Sequence, residues 1–103
     1  MPQARTQKND RTKDALSTKE PPLYHVILLN DDFTAMDFVV DILQRVFHKQ
    51  PFDAEAIMLS VHETGFGVAG KFPRAIAETK VSTVAQLARA HGFPLKSVIE
   101  PVD

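Results

Sequence analysis

The chain changes character within the stretch Leu28-Leu29-Asn30-Asp31-Asp32-Phe33-Thr34-Ala35-Met36, where an apolar segment runs directly into amide and carboxylate side chains. The preceding residues, from Tyr24 onward, are rich in strand formers. The following residues, from Met36 to Phe47, repeat apolar side chains at helical spacing. Residues 30 to 34 are therefore predicted to form a turn from a strand into a helix, because short polar side chains hydrogen-bond to nearby backbone in such turns.

The rest of the chain divides into strands and helices by the same criteria. We predict a strand at 24–29, followed by a helix over 35–49 with Thr34 as its N-cap. A second helix is predicted over 54–64, with Asp53 as its N-cap and Gly65 at its end, followed by a strand at 66–72. A third helix is predicted from Pro73 to about His91, before Gly92, and the last element is an edge strand over 95–102 that contains Pro101. The order is β-α-α-β-α-β. The economical solution is an α+β two-layer sandwich, with three helices packed on a small three-stranded antiparallel sheet.

Length and composition predict one globular domain. The 103 residues can enclose one core, and the 44% content of aliphatic and aromatic residues is close to the ordinary globular value. No apolar run approaches the roughly 20 residues of a membrane helix, and the N-terminus lacks the apolar centre of a secretory signal. With no cysteine in the chain, disulfides and thiolate metal sites are excluded, and we expect a cytoplasmic protein.

Charge is distributed unevenly between two predicted regions. Residues 1–22 hold five basic and three acidic side chains with one leucine and no aromatic residue, so this segment is predicted to be a disordered tail. Residues 23–103 hold seven basic and ten acidic side chains and are predicted to form the domain. The net charge of −1 gives no reason to expect nucleic acid as a partner, since phosphate binding depends on clustered Lys and Arg.

Catalytic and metal chemistry are poorly supported by the residue pattern. No two of the four histidines (His25, His48, His62 and His91) have a spacing that pairs them on one helix face, so no metal site is predicted. A hydrolase using Asp31 or Asp32 with His62 would need a nucleophile, and no Ser or Thr stands in a recognisable nucleophile setting. We therefore predict neither enzymatic activity nor a cofactor.

Recognition of a cation explains the same residues better. Asn30, Asp32 and His62 could offer acceptors to a primary ammonium group beside an apolar pocket formed by Met36, Val39, Met58, Val61 and Leu95. An α-amino group, with a pKa near 7.7–8.0, is mostly charged at neutral pH and requires such acceptors. The ligand that combines both features is the free N-terminus of a protein whose first side chain is bulky and apolar.

Residues 22–103 resemble the ClpS family, the adaptors that bring N-end-rule substrates (N-degrons) to the bacterial Clp protease. The motifs that carry the resemblance are Pro-Pro-x-Tyr-x-Val-Ile-Leu at 21–28, Asn-Asp-Asp-Phe-Thr at 30–34 followed by Met36, Met-Leu-x-Val-His at 58–62 followed by Gly65, Ala-Glu-Thr-Lys-Val at 77–81, and Pro-Leu at 94–95. The combination of these motifs is specific, although each is short.

The resemblance implies a role for each residue of the site. Asn30, Asp32 and His62 would hold the α-amino group, with Asp31 in support. The pocket for Leu, Phe, Tyr or Trp would be lined by Leu29, Thr34, Met36, Val39, Met58, Val61 and Leu95. Met36 would be the gate that excludes β-branched side chains, a task suited to a flexible thioether.

The resemblance also implies partners. A monomeric adaptor would dock on the N-terminal domain of the ClpA unfoldase through Lys80 and Glu78, and through ClpA it would reach ClpP. The tail would engage the unfoldase during substrate delivery. The chain departs from the family pattern at Ala35, where a proline is usual, and at Ala75, where an acidic residue often contributes to docking.

A second function remains open from the element order alone. The β-α-α-β-α-β arrangement also suits a structural interaction domain like that at the C-terminus of the ribosomal stalk protein. Such a module would need no acidic turn beside an apolar pocket.

Overall fold

The computed structural model describes residues 21–103, so most of the predicted disordered tail lies outside the described residues. The elements in chain order are β1 (Leu23–Leu29), α1 (Met36–Arg45), α2 (Pro51–Thr64), β2 (Phe66–Pro73), α3 (Arg74–Ala90) and β3 (Lys96–Pro101). This order confirms the predicted β-α-α-β-α-β arrangement and the α+β fold class.

The three strands form one antiparallel sheet in the order β2-β1-β3. β1 is the central strand, and its Ile27 pairs with Val68 of β2 on one side and with Val98 of β3 on the other. The predicted edge position of β3 is confirmed. Pro101 has no backbone N–H to donate, and at the edge of the sheet no further strand of residues 21–103 lies beside β3 to require one.

The core fills the space between the sheet and the helices. Val26 and Leu28 are fully buried and belong to one apolar cluster with Ile42, Leu43 and Val84 of the helices. Alternate residues of a strand point to opposite faces. Accordingly Ile27 is buried beside the cross-strand neighbours Val68 and Val98 and does not belong to that cluster.

The starts of α1 and α2 differ from the prediction. The N-cap of α1 is Ala35 with φ −66° and ψ 140°, and it makes no side-chain capping bond, so the assignment of Thr34 as N-cap was wrong. The Thr34 hydroxyl instead donates to Asp31. α2 begins at Pro51, three residues before the predicted start, and Asp53 lies in its first turn. Proline is favourable at this position because its φ is already helical and its missing N–H would have had no helical partner.

The ends of the helices are determined by backbone geometry. α1 ends at Arg45, whereas the prediction ran to Lys49, because His48 adopts a left-handed conformation with φ 57°. The N–H of Lys49 then donates 3.0 Å to the Leu43 carbonyl. The predicted end of α2 is confirmed, since Gly65 is its C-cap with φ 97°, a conformation that glycine adopts readily.

Candidate functional site

A cavity of about 210 Å³ opens between the turn after β1, the start of α1 and the end of α2. Its lining combines polar residues of the turn with apolar residues of the helices. The lining residues are Leu29, Asn30, Asp31, Asp32, Thr34, Met36, Val39, Met58, Val61, His62 and Leu95. The structure thus brings together on one cavity every residue that the sequence analysis assigned to the α-amino site and to the apolar pocket.

The Asp31 carboxylate organises the turn. One of its oxygens accepts hydrogen bonds from the backbone N–H groups of Phe33 (2.8 Å) and Thr34 (2.7 Å), and the other accepts from the Thr34 hydroxyl (2.6 Å). Partial burial raises the pKa of Asp31, but these three hydrogen bonds together outweigh it and lower the pKa below its ordinary value. Asp31 is therefore ionised at neutral pH, with both oxygens already engaged by its own turn.

The two polar residues on either side of Asp31 remain available. The side chains of Asn30 and Asp32 are exposed at the cavity mouth and form no hydrogen bond with another residue of the range 21–103. Their amide and carboxylate oxygens can therefore accept hydrogen bonds from a ligand. Because Asp31 accepts hydrogen bonds within the turn and Asp32 does not, Asp32 is a candidate ligand-binding group and Asp31 supports the turn.

The end of α2 is tied to this turn through backbone. The N–H of Asn30 donates 2.9 Å to the carbonyl of Gly65. The Ser60 hydroxyl donates 3.0 Å to the carbonyl of Phe66, which holds the end of α2 against the start of β2. The Thr64 hydroxyl lies between the carbonyls of Ser60 (2.7 Å) and Phe66 (3.0 Å). These bonds place His62, in the last turn of α2, at the same cavity mouth as Asn30.

Most of the apolar wall is buried, and its most exposed residue is Met36. Val39, Met58, Val61 and Leu95 all belong to the buried core, while Met36 is 48% exposed. Met36 occupies the first position of α1 and therefore lies at the rim of the cavity. This position fits the predicted gate, because a side chain at the rim can move without disturbing the core.

The residues predicted to dock on an unfoldase lie elsewhere, on α3, and do not line the cavity. The Lys80 ammonium donates 2.7 Å to the Val46 carbonyl and lies over the rings of Phe47 and Phe72, at 5.9 and 5.6 Å from their centroids. Glu78 is exposed and pairs with Arg74 at 3.0 Å. The sequence analysis did not foresee the contacts of Lys80, which join residues 34 positions apart.

One neighbouring depression was not foreseen either. Phe33, Pro94 and Lys96 line a shallow volume that shares Leu29, Asn30, Asp31 and Asp32 with the cavity. The Phe33 ring is 78% exposed there. The sequence signal for this exposed ring was an aromatic residue within a polar turn, because a residue of such a turn has no apolar core beside it.

Across residues 21–103, no cluster of three or more His, Cys, Asp or Glu side chains could hold a metal ion. Over the same range, no helix has the length and apolar content required to cross a membrane.

Fold and cavity together define a small α+β domain of the binding type, with polar acceptors at the mouth of an apolar cavity. The family model of the ATP-dependent Clp protease adaptor protein ClpS matches residues 19–98. A ClpS adapter protein of Desulfotalea psychrophila is 48% identical over 100 residues, covering 97% of this chain and 98% of the relative. A ClpS adapter protein of Deinococcus radiodurans is 50% identical over 99 residues, covering 96% of this chain and 84% of the relative.

A solved structure gives the same assignment. The structure of Agrobacterium tumefaciens ClpS2 bound to L-phenylalaninamide superimposes with a TM-score of 0.76 at 39% identity, covering 80% of this chain and 99% of that chain. The chain belongs to the ClpS family of Clp protease adaptors. This assignment favours the adaptor over the ribosomal-stalk-like module that the element order alone had left open.

Proposed function

We propose that this adaptor binds the free N-terminus of proteins that begin with Leu, Phe, Tyr or Trp and delivers them to the ClpAP protease. The observation that carries the proposal is the arrangement of the cavity, in which Asn30, Asp32 and His62 lie at the mouth of a volume lined by apolar side chains. Such a site offers acceptors for an ammonium group and space for a large apolar side chain at the same time.

The polar half would bind the α-amino group. An α-ammonium has three donors, and Asn30, Asp32 and His62 supply an amide oxygen, a carboxylate and an imidazole nitrogen as acceptors. Hydrogen bonds to a charged group contribute roughly 1.5–3 kcal/mol each. Asp31 would act indirectly, by keeping the turn in the conformation that presents its two neighbours.

The apolar half would bind the first side chain. An apolar protein cavity of about 150 Å³ is known to accommodate benzene, and the whole cavity here, polar mouth included, measures about 210 Å³, a size compatible with an aromatic ring. Burial of a Leu or Phe side chain contributes roughly 1.5–3 kcal/mol. Micromolar binding requires about 8 kcal/mol after the cost of association has been met. Burial of the side chain falls well short of this value, and three charge-assisted bonds, at roughly 4.5–9 kcal/mol in total, do not also cover the cost of association, so recognition should need both halves.

The Agrobacterium relative supports this assignment through its ligand. L-phenylalaninamide, bound to ClpS2, carries a free α-amino group and a phenyl side chain on the same carbon. It therefore presents the two chemical features that the cavity of this chain is proposed to bind.

Delivery would use surfaces outside the cavity. Residues 1–22 are proposed to engage the unfoldase, and Lys80 and Glu78 are proposed to contact the N-terminal domain of ClpA. Both side chains already have partners within the fold, so docking would add contacts to groups held in place. With Ala75 in place of an acid, we expect docking to depend more strongly on Lys80. The adaptor is proposed to work as a cytoplasmic monomer without a cofactor.

A panel of peptides that differ only in the first residue tests the binding half of the proposal. Peptides that begin with Leu, Phe, Tyr or Trp should bind, and peptides that begin with Ala or Asp should not. His62→Ala should reduce binding about tenfold or more, in proportion to one lost charge-assisted bond. His91→Ala is the matched control, because His91 is also exposed on a helix end but does not line the cavity. Equal binding across the panel would overturn the proposal.

A further inference from the structure

Gly67, in β2, lies beneath α2 at a point where the helix and the sheet are in direct contact. A β-carbon built at this residue would lie 2.7 Å from Cγ2 of Val61, 3.0 Å from the Ile57 carbonyl oxygen and 3.2 Å from Cγ2 of Ile57. Distances of this kind leave no room for a methyl group without movement of α2 or of the Val61 side chain. Glycine at this position therefore allows α2 to pack directly on β2.

Val61 links this contact to the cavity. It touches the Gly67 position and is only 3% exposed, and it also lines the cavity proposed to receive the first side chain of a substrate. Ile57, the other residue close to Gly67, does not line that cavity. Any displacement caused at Gly67 would therefore reach the site mainly through Val61.

α2 cannot easily relieve such a contact by sliding along the sheet. Its C-terminal part is bonded to the carbonyl of Phe66, the residue before Gly67, by the hydroxyl of Ser60. Immediately after the helix, the Gly65 carbonyl accepts the N–H of Asn30. With the end of α2 held at both places, an added methyl group would shift the Val61 side chain relative to the rest of the cavity wall.

We infer that Gly67 is a specificity-determining residue that sets the width of the cavity through Val61, and thereby allows the largest first side chain, Trp, to enter. The inference rests on the proposed function, since it concerns the same cavity and the same class of ligand. Gly67 touches no ligand itself and acts as a positioning residue. In a close-packed wall, an extra methylene forces neighbouring side chains to move, and the bulkiest ligand is the one most sensitive to the change.

Gly67→Ala tests the inference, with Gly70→Ala as a matched control in the same strand. A β-carbon at Gly70 would meet the Phe72 ring at 2.9 Å, compared with 2.7 Å to Val61 from Gly67, but Phe72 does not line the cavity. The quantity to measure is the ratio of affinities for two peptides that begin with Trp or with Leu. General destabilisation does not alter this ratio, because both peptides bind the same folded fraction.

In Gly67→Ala we expect the Trp-to-Leu affinity ratio to fall about tenfold relative to the unmodified chain, while Gly70→Ala leaves it within about twofold. An unchanged ratio in Gly67→Ala, with binding of both peptides retained, would overturn the inference and leave the proposed function intact. If the unmodified chain bound neither peptide, the proposed function itself would fail.

A second comparison covers the case in which Gly67→Ala alone does not fold. Val61→Ala removes the shortest contact of the new side chain, at 2.7 Å, and leaves only the contacts with Ile57 at 3.0 and 3.2 Å, so the double variant Gly67→Ala/Val61→Ala is expected to fold. Its Trp-to-Leu ratio should lie within about twofold of that of Val61→Ala alone, since the contact that transmits the displacement is gone. A full tenfold loss in the double variant would show that Val61 does not transmit the effect.

Discussion

The backbone N–H of Asn30 donates a 2.9 Å hydrogen bond to the carbonyl of Gly65, and this bond joins the turn after β1 to the end of α2. The two residues are far apart in sequence: Asn30 lines the cavity itself, and Gly65 follows the last turn of α2, which carries the cavity residue His62. Through this bond, the amide and carboxylate of the turn share one mouth with the imidazole of His62. The site is therefore an outcome of the packing of α2 on β2 as much as of the turn itself.

Asp31→Asn should destabilise the protein by about 1 kcal/mol at neutral pH, because the charged acceptor of three hydrogen bonds becomes a neutral amide. Hydrogen bonding lowers the pKa of Asp31 in the folded state despite the opposing effect of burial. The stabilisation is thus fully present above the unfolded pKa of about 3.9 and is lost as the pH falls through the lower folded value. Chemical denaturation at several pH values measures it.

The difference in unfolding free energy between the unmodified chain and Asp31→Asn is expected to shrink as the pH falls below about 4. Asp32→Asn is the control, since Asp32 is exposed and makes none of these bonds, and it should change stability by less than about 0.5 kcal/mol. A difference of constant size down to pH 2 would show that the Asp31 charge does not stabilise the turn.

Met36→Ala should allow peptides that begin with Ile or Val to bind. The side chain lies at the rim of the cavity, and its removal creates space where a β-branched residue would otherwise collide. Titration with such peptides measures the change, and affinities for them should rise about tenfold or more. Ile76→Ala is the control, because Ile76 has the same 48% exposure but lies on α3 away from the cavity. No gain for Ile and Val would mean that Met36 is only part of the wall.

Deletion of residues 1–17 should leave peptide affinity unchanged and abolish degradation of a model substrate by ClpAP. None of the cavity residues lies in this segment, so the cavity should be preserved. A chain in which the same 17 residues are scrambled separates the need for a flexible leader from the need for a particular sequence. Undiminished delivery by the shortened chain would remove the proposed role of the tail.

His48→Gly should stabilise the protein by about 0.5–1 kcal/mol, because His48 has φ 57°, a left-handed conformation that glycine adopts without a steric penalty. For a domain of this size, that change raises Tm by roughly 2–8 °C. His91→Gly is the control, since His91 has φ −101° and gains nothing from glycine. A lower Tm for His48→Gly would indicate that the imidazole makes a compensating contact.

The order of elements and the composition of the site could both be predicted, because each depends on local pattern. Helical spacing identified α1, and Gly65 and Pro101 marked the end of α2 and an edge strand. The grouping of His62 with Asn30 came from the chemistry of cation recognition and was supported by the family motifs. Spacing alone left open whether an acid and an imidazole from separate elements would meet.

Competing local bonds explain what could not be predicted. Thr34 can cap a helix or bond to Asp31, and only the folded turn shows that the second bond forms. Asp53 and Pro51 are both good residues for a helix start, and the chain uses the proline. The Lys80 contact with Val46 and the close approach of Val61 to Gly67 depend on tertiary packing, which periodicity does not describe.

The most direct test of two-part recognition compares one peptide that begins with Phe with the same peptide carrying an acetylated N-terminus, titrated calorimetrically at neutral pH. Acetylation removes the positive charge and leaves the phenyl group in place. We predict that the free peptide binds and that the acetylated peptide binds at least about a hundredfold more weakly, as expected for the loss of two charge-assisted hydrogen bonds. Equal affinity for the two peptides would contradict the role of Asn30, Asp32 and His62.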